Sequence, residues 1–149
     1  MNAICHNLLL ADDDIDDCIL FKEALEDIDL NSSLTTVSDG GELMQYLYNN
    51  LNSLPDVLFL DLNMPRKTGY ECLTEIRENE KFNNLPVVIF STSFDPQIVK
   101  LLFERGAHYY IRKPAEFREL KKLIYKAITS ACDEKKHPMI KDQFVLGTR

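Results

Sequence analysis

Residues 55–71 read PDVLFLDLNMPRKTGYE, and this stretch decides the fold class of the chain. It contains four consecutive apolar residues, Val57–Leu60, which end at a carboxylate, Asp61. A short apolar run without polar interruption is typical of a strand that is buried on both faces. Apolar residues at about helical spacing follow over residues 70–76. The stretch therefore predicts a buried strand, a loop and a helix, in that order.

The same order repeats along the chain. Four more short apolar runs predict four more strands: Leu8–Ala11, Leu34–Val37, Val87–Phe90 and Tyr109–Ile111. A helical pattern follows each run, and Asp95, Pro96 and Gly106 mark the two ends of the fourth helix. Strands that alternate with helices predict an α/β fold with a five-stranded parallel sheet covered by five helices. In such sheets the ligand site lies at the carboxyl ends of the strands.

The composition indicates one acidic globular domain. The chain has 149 residues, with 24 Asp and Glu against 17 Lys and Arg, and a net charge of -7. This charge disfavours a nucleic-acid-binding protein, because such proteins present a basic face to phosphates. No apolar run approaches the roughly 20 residues of a membrane span, and the N-terminus does not have the pattern of a signal peptide. The predicted location is therefore the cytoplasm.

The four cysteines are predicted to be reduced, structural thiols. Cys5, Cys18, Cys72 and Cys132 are widely separated, with no CxxC pair and no spacing typical of a zinc site. Three of them lie in apolar stretches, where cysteine acts as a small hydrophobic residue. A cytoplasmic protein also keeps its thiols reduced.

Five carboxylates lie within six residues after the first predicted strand, in the segment DDDIDD at residues 12–17. Two like charges ~4 Å apart repel by about 4 kcal/mol at an effective dielectric of 20. The dipole of the following helix favours acids in its first turn, which accounts for Asp14, Asp16 and Asp17. It does not account for Asp12 and Asp13. Closely spaced carboxylates are the ligands that Mg²⁺ or Ca²⁺ requires, so this segment is a candidate metal site.

A calcium-binding EF-hand is one alternative for this segment. Asp12, Asp14, Asp16 and Glu23 fall on the first, third, fifth and twelfth positions of such a loop. However, Asp17 replaces the glycine that the loop requires, and the preceding segment is predicted to be a strand. The EF-hand interpretation is therefore disfavoured.

Further polar residues follow the third, fourth and fifth predicted strands: Asp61, the hydroxyl residues 91–93, and Lys113-Pro114. Each alone has an ordinary explanation, as a helix cap, a turn former or a surface charge. Together at one sheet edge, three carboxylates would bind a divalent cation, and one of them could attack phosphorus. A lysine above them would act as a counter-ion and phosphate ligand. The peptide bond between Lys113 and Pro114 has a cis option, which would fix the lysine backbone.

This set of residues resembles the receiver domain of two-component response regulators, the CheY-like superfamily. The resemblance covers about residue 5 to about residue 130, and it rests on an acidic pair, Asp61, Ser91 and Lys113-Pro114 in this order, with spacings of 30 and 22 residues between the last three. It implies a flavodoxin-like sheet with strand order 2-1-3-4-5. It also implies a signalling protein of a phosphorelay rather than a separate enzyme.

The resemblance implies that Asp61 accepts a phosphoryl group from a phosphohistidine. The donor would be a sensor histidine kinase or a histidine phosphotransfer protein. Asp12, Asp13, Asp61 and the backbone carbonyl of Asn63 would bind Mg²⁺, with Mn²⁺ as a possible substitute. A shift of the acidic pair by one residue, to Asp13 and Asp14, stays open.

The resemblance also implies roles for the later strand ends. Ser91 would be the switch hydroxyl, Lys113 the phosphate-binding lysine, and Tyr110 the aromatic residue that turns inward as Ser91 moves. Thr92, where a small residue is frequent in the family, could narrow access to the phosphate. Phosphorylation would change the conformation of the domain, and the face formed by the fourth helix, the fifth strand and the fifth helix is the expected docking surface for an output protein.

Residues 61–67 resemble the stand-alone regulators that accompany bacterial phytochromes and hybrid kinases. We therefore expect a receiver domain over residues 1–131 with no fused output domain. Residues 132–149 are expected to be either a disordered tail or an extension for docking or dimer formation, and a homodimer stays open.

Two other functions fit part of the pattern. A phosphatase or phosphotransferase of the haloacid dehalogenase type also uses an aspartate nucleophile with Mg²⁺, but it needs a second aspartate where this chain has Asn63. A pseudo-receiver, which binds proteins without accepting phosphate, would be expected to lack one of the five site types. Both alternatives are disfavoured.

Overall fold

The computed structural model describes residues 7–132 and 143–147. Strands and helices alternate along the chain in the order β1 (Asn7–Ala11), α1 (Ile15–Ile28), β2 (Ser33–Val37), α2 (Gly40–Asn49), β3 (Val57–Leu60), α3 (Gly69–Glu78), β4 (Val87–Ser91), α4 (Pro96–Glu104), β5 (Tyr109–Arg112), α5 (Phe117–Ala131) and β6 (Val145–Leu146). The predicted α/β architecture with five helices is confirmed.

The six strands form one parallel sheet in the order β2-β1-β3-β4-β5-β6. The first five follow the order that the family resemblance implied, but the predicted total of five strands is wrong. The sixth strand has two residues, too few for a periodic pattern in the sequence. It is held by tertiary contacts instead: Phe144 is fully buried, and its carbonyl accepts a hydrogen bond of 3.0 Å from the backbone N–H of Tyr110.

Helices cover both faces of the sheet because successive strand residues point to opposite sides. Residues such as Leu8 and Leu10 face α1 and α5, whereas Leu9 and Ala11 face α2, α3 and α4. The four residues of β3 are fully buried. This agrees with the apolar run from which the strand was predicted.

Side chains define where the helices begin. Asp14 caps α1 by accepting a hydrogen bond from the backbone N–H of Asp17, and Thr68 with Glu71 forms a capping box on α3. Asp95 caps α4, and Pro96 occupies its first turn, as predicted. Among the described residues, no helix is long and apolar enough to cross a bilayer.

The cysteine prediction is confirmed in part. Cys18 and Cys72 are free thiols, and burial raises their pKa to about 11 and about 12. Cys132 is disulfide-bonded, so the prediction of a reduced thiol is wrong at that position. The sequence separation of cysteines does not reveal which segments the fold brings together. Cys5 lies outside the described residues.

Gly69 lies where the loop after β3 returns to the strand end. A Cβ atom at this position would lie 2.2 Å from the carbonyl oxygen of Asp61, and the backbone N–H of Gly69 donates to Leu62. A side chain here would therefore displace the backbone of Asp61. A Cβ atom at Gly40, at the start of α2, would lie 2.1 Å from the carbonyl oxygen of Lys67. The backbones of α2 and of the β3–α3 loop are therefore in close contact.

We predict that Gly69→Ala lowers the free energy of unfolding by about 2 kcal/mol or more, because the clash is with backbone. Gly41→Ala is the matched control, since Gly41 lies in a helix where a Cβ would approach protein atoms no closer than 3.2 Å, and alanine is the better helix former. Urea denaturation of both variants measures the effect. Equal stabilities for the two variants would contradict the prediction.

Candidate functional site

Three carboxylates meet at the carboxyl ends of β1 and β3. The two strands are neighbours with Ala11 opposite Leu60, so the residues that follow, Asp12 and Asp61, lie side by side. The backbone N–H of Asp61 donates to the carbonyl of Ala11 at 2.9 Å, which fixes this register beyond the strands. Asp12, Asp13 and Asp61 each offer one oxygen, and these three atoms lie within 4.8 Å of one another.

Asp12 and Asp61 are buried, whereas Asp13 is exposed. Asp14, the alternative member of the acidic pair, caps α1 instead. The geometry therefore favours Asp12 and Asp13 as the acidic pair.

Burial is the main influence on the carboxylate of Asp61. The pKa of Asp61 is raised to about 7, because burial and the nearby charge of Asp12 raise it by more than the charge of Lys113 lowers it. Oxygen Oδ1 accepts a hydrogen bond of 2.8 Å from the backbone N–H of Leu62. Oxygen Oδ2 is the one that faces Lys113.

Lys113 is the cation of this cluster. Its Nζ lies 2.8 Å from Oδ2 of Asp12, 2.8 Å from Oδ2 of Asp17 and 3.8 Å from Oδ2 of Asp61. Burial lowers its pKa, but the contacts with Asp12 and Asp17 and the charge of Asp61 outweigh that effect and hold the pKa above its ordinary value. Lys113 is therefore a permanently charged ammonium. Its peptide bond to Pro114 is trans, so the cis option is wrong.

The backbone of Lys113 is held by β4. Its N–H donates to the carbonyl of Ser91 at 2.8 Å, which extends the β4–β5 ladder to the site. Ser91 itself is the last residue of β4 rather than the first residue after it, and it is fully buried. Its hydroxyl lies 3.1 Å from the hydroxyl of Ser93 and accepts from the backbone N–H of Ser93. Thr92, between them, is exposed.

Tyr110 is fully buried, with its ring turned inward. Its hydroxyl donates to the backbone carbonyl of Ser93, and its ring meets Phe94 and Phe144 edge-on at centroid distances of 5.8 and 6.3 Å. The predicted switch residues Ser91 and Tyr110 are thus joined through one loop.

The predicted docking face is partly covered within the chain. Val145 pairs with Tyr110 and Leu146 with Ile111, so β6 occupies the free edge of β5. A cavity of about 420 Å³ lies between β6 and the loop of Lys113, lined in part by Phe94 and Arg112.

Asp17 is the site residue that sequence reasoning missed. Its place in the first turn of α1 was explained by the helix dipole, and this explanation concealed its contact with a lysine 96 residues away. Asn63 lies exposed in the loop after Asp61.

The site fits a divalent cation. Three clustered carboxylate oxygens form a donor set that Mg²⁺ and Mn²⁺ prefer. Oδ2 of Asp12 is buried, and Nζ of Lys113 lies 2.8 Å from it as its ion-pair partner among the described residues. A buried carboxylate oxygen with a single cationic partner has lone pairs left for a metal ion.

Residues 8–125 match the family model of the response regulator receiver domain. The chain belongs to this family. Response regulator Rcp1 of Synechocystis sp. is 31% identical over 122 residues, which are 78% of this chain and 82% of Rcp1. The resemblance found in the sequence is therefore confirmed.

Solved structures of receiver proteins superpose on this chain. The phosphorylated cyanobacterial phytochrome response regulator RcpA gives a TM-score of 0.77 at 31% identity, over 89% of this chain and 99% of RcpA. The Mn²⁺-bound form of Rcp1 gives 0.74 at 28% identity, again over 89% and 99%. Phytochrome regulators are thus among the proteins to which this receiver is similar, as residues 61–67 indicated.

We predict that Asp61→Asn stabilises the protein in the presence of a metal chelator. The carboxyl of Asp61 has a pKa of about 7 in the folded state and about 4 in the unfolded state. The protein's free energy of unfolding therefore falls as the pH rises from about 4 to about 7. At pH 7.5 the variant should gain about 1–3 kcal/mol over the wild type, because it no longer buries a charge. At pH 4 the gain should vanish.

Chemical denaturation at the two pH values measures this difference. Asp16→Asn removes an exposed charge from the same acidic segment and should change stability little at either pH. A constant difference between wild type and Asp61→Asn across this range would contradict the assignment of the raised pKa to Asp61.

Proposed function

We propose that this receiver accepts a phosphoryl group on Asp61 from a phosphohistidine of a sensor histidine kinase or a histidine phosphotransfer protein. The observation that carries the proposal is the arrangement around Asp61: a buried carboxylate beside a largely shielded ammonium and two further acids at one sheet edge. Phosphoryl transfer needs positioning and charge neutralisation more than covalent assistance, and this arrangement supplies both.

The two oxygens of Asp61 have different surroundings. Because Oδ1 is held by the N–H of Leu62, we assign Oδ2 as the oxygen that attacks phosphorus. An O–P bond then forms as the P–N bond to the donor imidazole breaks. Lys113, which faces Oδ2 at 3.8 Å, would meet the phosphoryl oxygens as they arrive, and the hydroxyl of Ser91 would donate to one of them.

Asp12, Asp13, Asp61 and the backbone carbonyl of Asn63 would hold Mg²⁺, with Mn²⁺ as a possible substitute. The ion would neutralise the charge of these carboxylates and of the phosphoryl oxygens. The protein's part is to keep the three carboxylates together in the absence of that charge, which Lys113 does through its contact with Asp12.

The donor would approach along α1. Ile15 and Ile19 lie on the exposed side of this helix, with 74% and 50% of their surface accessible. Together with Asp12 and Asp13 they line one groove. Exposed aliphatic residues beside an active site suit the apolar face of a partner helix. We propose that this groove receives the helix that carries the phosphohistidine.

Phosphorylation would alter the face formed by α4, β5 and α5, where we propose that an output protein docks. Ser91 at the end of β4 and Ser93 in the loop that follows connect the site to Tyr110. We further propose that the receiver spans residues 1–131 and acts in the cytoplasm. The segment 132–149 would be a docking extension, because Val145 and Leu146 are joined to β5; a homodimer through this segment is an alternative use.

The two other functions find less support. Family membership favours a receiver over a hydrolase of the haloacid dehalogenase type. A pseudo-receiver would not need the charged network of Asp12, Asp61 and Lys113.

We predict that the protein gains one phosphoryl group when it is incubated with Mg²⁺ and a small phosphodonor such as acetyl phosphate. Intact-mass spectrometry should show one addition in the wild type and none in Asp61→Ala. Asp56→Ala, which replaces an aspartate at the opposite end of β3, is the matched control and should be modified like the wild type. A modification that survives in Asp61→Ala would refute the assignment.

We predict that Mg²⁺ stabilises the wild type and not Asp13→Asn. At an ion concentration 100 times the dissociation constant, binding to the folded state adds about 2.7 kcal/mol to the free energy of unfolding. Asp13 is exposed, so its substitution should remove the metal effect at little cost to the metal-free protein. Thermal denaturation with Mg²⁺ and with chelator tests this, with Asp16→Asn as control. If Mg²⁺ stabilised Asp13→Asn as much as Asp16→Asn, the ion would have to bind elsewhere.

A further inference from the structure

Asp17 and Lys113 form a contact that neither metal binding nor phosphoryl transfer uses directly. It joins the first turn of α1 to the residue after β5 with a hydrogen bond of 2.8 Å. The side chain of Lys113 is 10% exposed and that of Asp17 is 28% exposed, so the contact is largely shielded from solvent. A carboxylate outside the metal cluster thus shares the ammonium on which the phosphoryl group would depend.

Asp17 is held in place from its own helix. Its backbone N–H donates to the side chain of Asp14, the N-cap of α1, at 3.1 Å. The carboxylate is therefore presented from a fixed first turn rather than from a mobile loop. Nζ of Lys113 lies 2.8 Å from Oδ2 of Asp17 and 2.8 Å from Oδ2 of Asp12, whereas it lies 3.8 Å from Oδ2 of Asp61, beyond hydrogen-bond distance.

The negative charges around the ammonium of Lys113 would change during the proposed reaction. A bound divalent cation would neutralise Asp12, Asp13 and Asp61, but Asp17 is not among the clustered ligands. Asp17 would then be the remaining carboxylate partner of Lys113. A phosphoryl group on Asp61 adds about 1.5 to 2 negative charges, and it would have to compete with Asp17 for the same ammonium.

We propose that Asp17 is a positioning residue for Lys113. It holds the ammonium away from Oδ2 of Asp61 and competes with the phosphoryl group for it, so that Asp17 weakens the hold of the site on a phosphoryl group. This inference rests on the proposed function, since it concerns the phosphoryl group at Asp61. It makes the ion pair between Asp17 and Lys113 a determinant of how long the phosphorylated state persists.

The test is the binding of beryllofluoride, a phosphoryl analogue, with Mg²⁺, measured by calorimetry. In Asp17→Asn the dissociation constant should fall about two- to fivefold, the range expected for the loss of one partly exposed ion pair. Asp16→Asn removes the same charge from the same turn of α1 and is exposed, so it reports the general effect of charge alone. Asp17→Glu, which keeps the carboxylate, should restore most of the wild-type affinity.

A double-mutant cycle separates action through Lys113 from a general effect of Asp17. In a Lys113→Met background, Asp17→Asn should change the affinity no more than Asp16→Asn does. An undiminished effect in that background, or equal effects of Asp17→Asn and Asp16→Asn in the wild type, would overturn the proposal. Thermal unfolding of each variant shows whether folding is intact.

A crystal structure of Asp17→Asn tests the geometry without any analogue. We expect the distance from Nζ of Lys113 to Oδ2 of Asp61 to shorten from 3.8 Å into the hydrogen-bond range. An unchanged distance would overturn the positioning role. A wild-type protein that binds no beryllofluoride would instead refute the proposed function, and the crystal structure would still decide the role of Asp17.

Discussion

The structure depends on the neutralisation of several carboxylates by one ammonium, that of Lys113, which is largely shielded from solvent. Asp12 and Asp61 are buried side by side because β1 and β3 are neighbours in register. Their mutual repulsion would oppose folding without a cation between the strand ends. Lys113 supplies that charge from the end of β5, across the intervening strand β4. The site is therefore a point at which folding energy and the proposed chemistry are directly linked, because the same charges serve both.

Close backbone packing supports this electrostatic arrangement. The carbonyl of Asp61 lies so near to Gly69 that no side chain fits between them. At the other end of the sheet, Arg77 holds three loop segments together. Its guanidinium donates to the backbone carbonyls of Asn83, Leu85 and Gly106. Burial lowers its pKa to about 10, and the carbonyls compensate for part of this cost. Two partly buried cations thus connect loops at opposite ends of the strands.

The sequence pattern predicted the elements that depend on local residue order, and the family resemblance supplied the order of the first five strands. The apolar run before Asp61 predicted a buried strand, and the rule that parallel strands end at one edge brought Asp12, Asp61 and Lys113 together. It could not predict contacts that depend on the path of the chain in space. The two residues of β6 have no recognisable period, the disulfide at Cys132 has no motif, and the acidic side chain of Asp17 already had a sufficient local explanation.

The same charge balance explains how a change at Asp61 could reach β6. A phosphoryl group that attracts Lys113 and Ser91 acts on both residues of a single hydrogen bond, since the N–H of Lys113 donates to the carbonyl of Ser91. Ser91 is bonded to Ser93, and Ser93 accepts the hydroxyl of Tyr110. The backbone of Tyr110 in turn donates to Phe144 beside β6. The side chain of Tyr110 is fully buried, and a closely packed ring does not shift by small degrees. A movement of the loop after β4 would therefore either be resisted by Tyr110 or be transmitted to β6. β6 has only two residues paired with β5, so few hydrogen bonds resist such a movement.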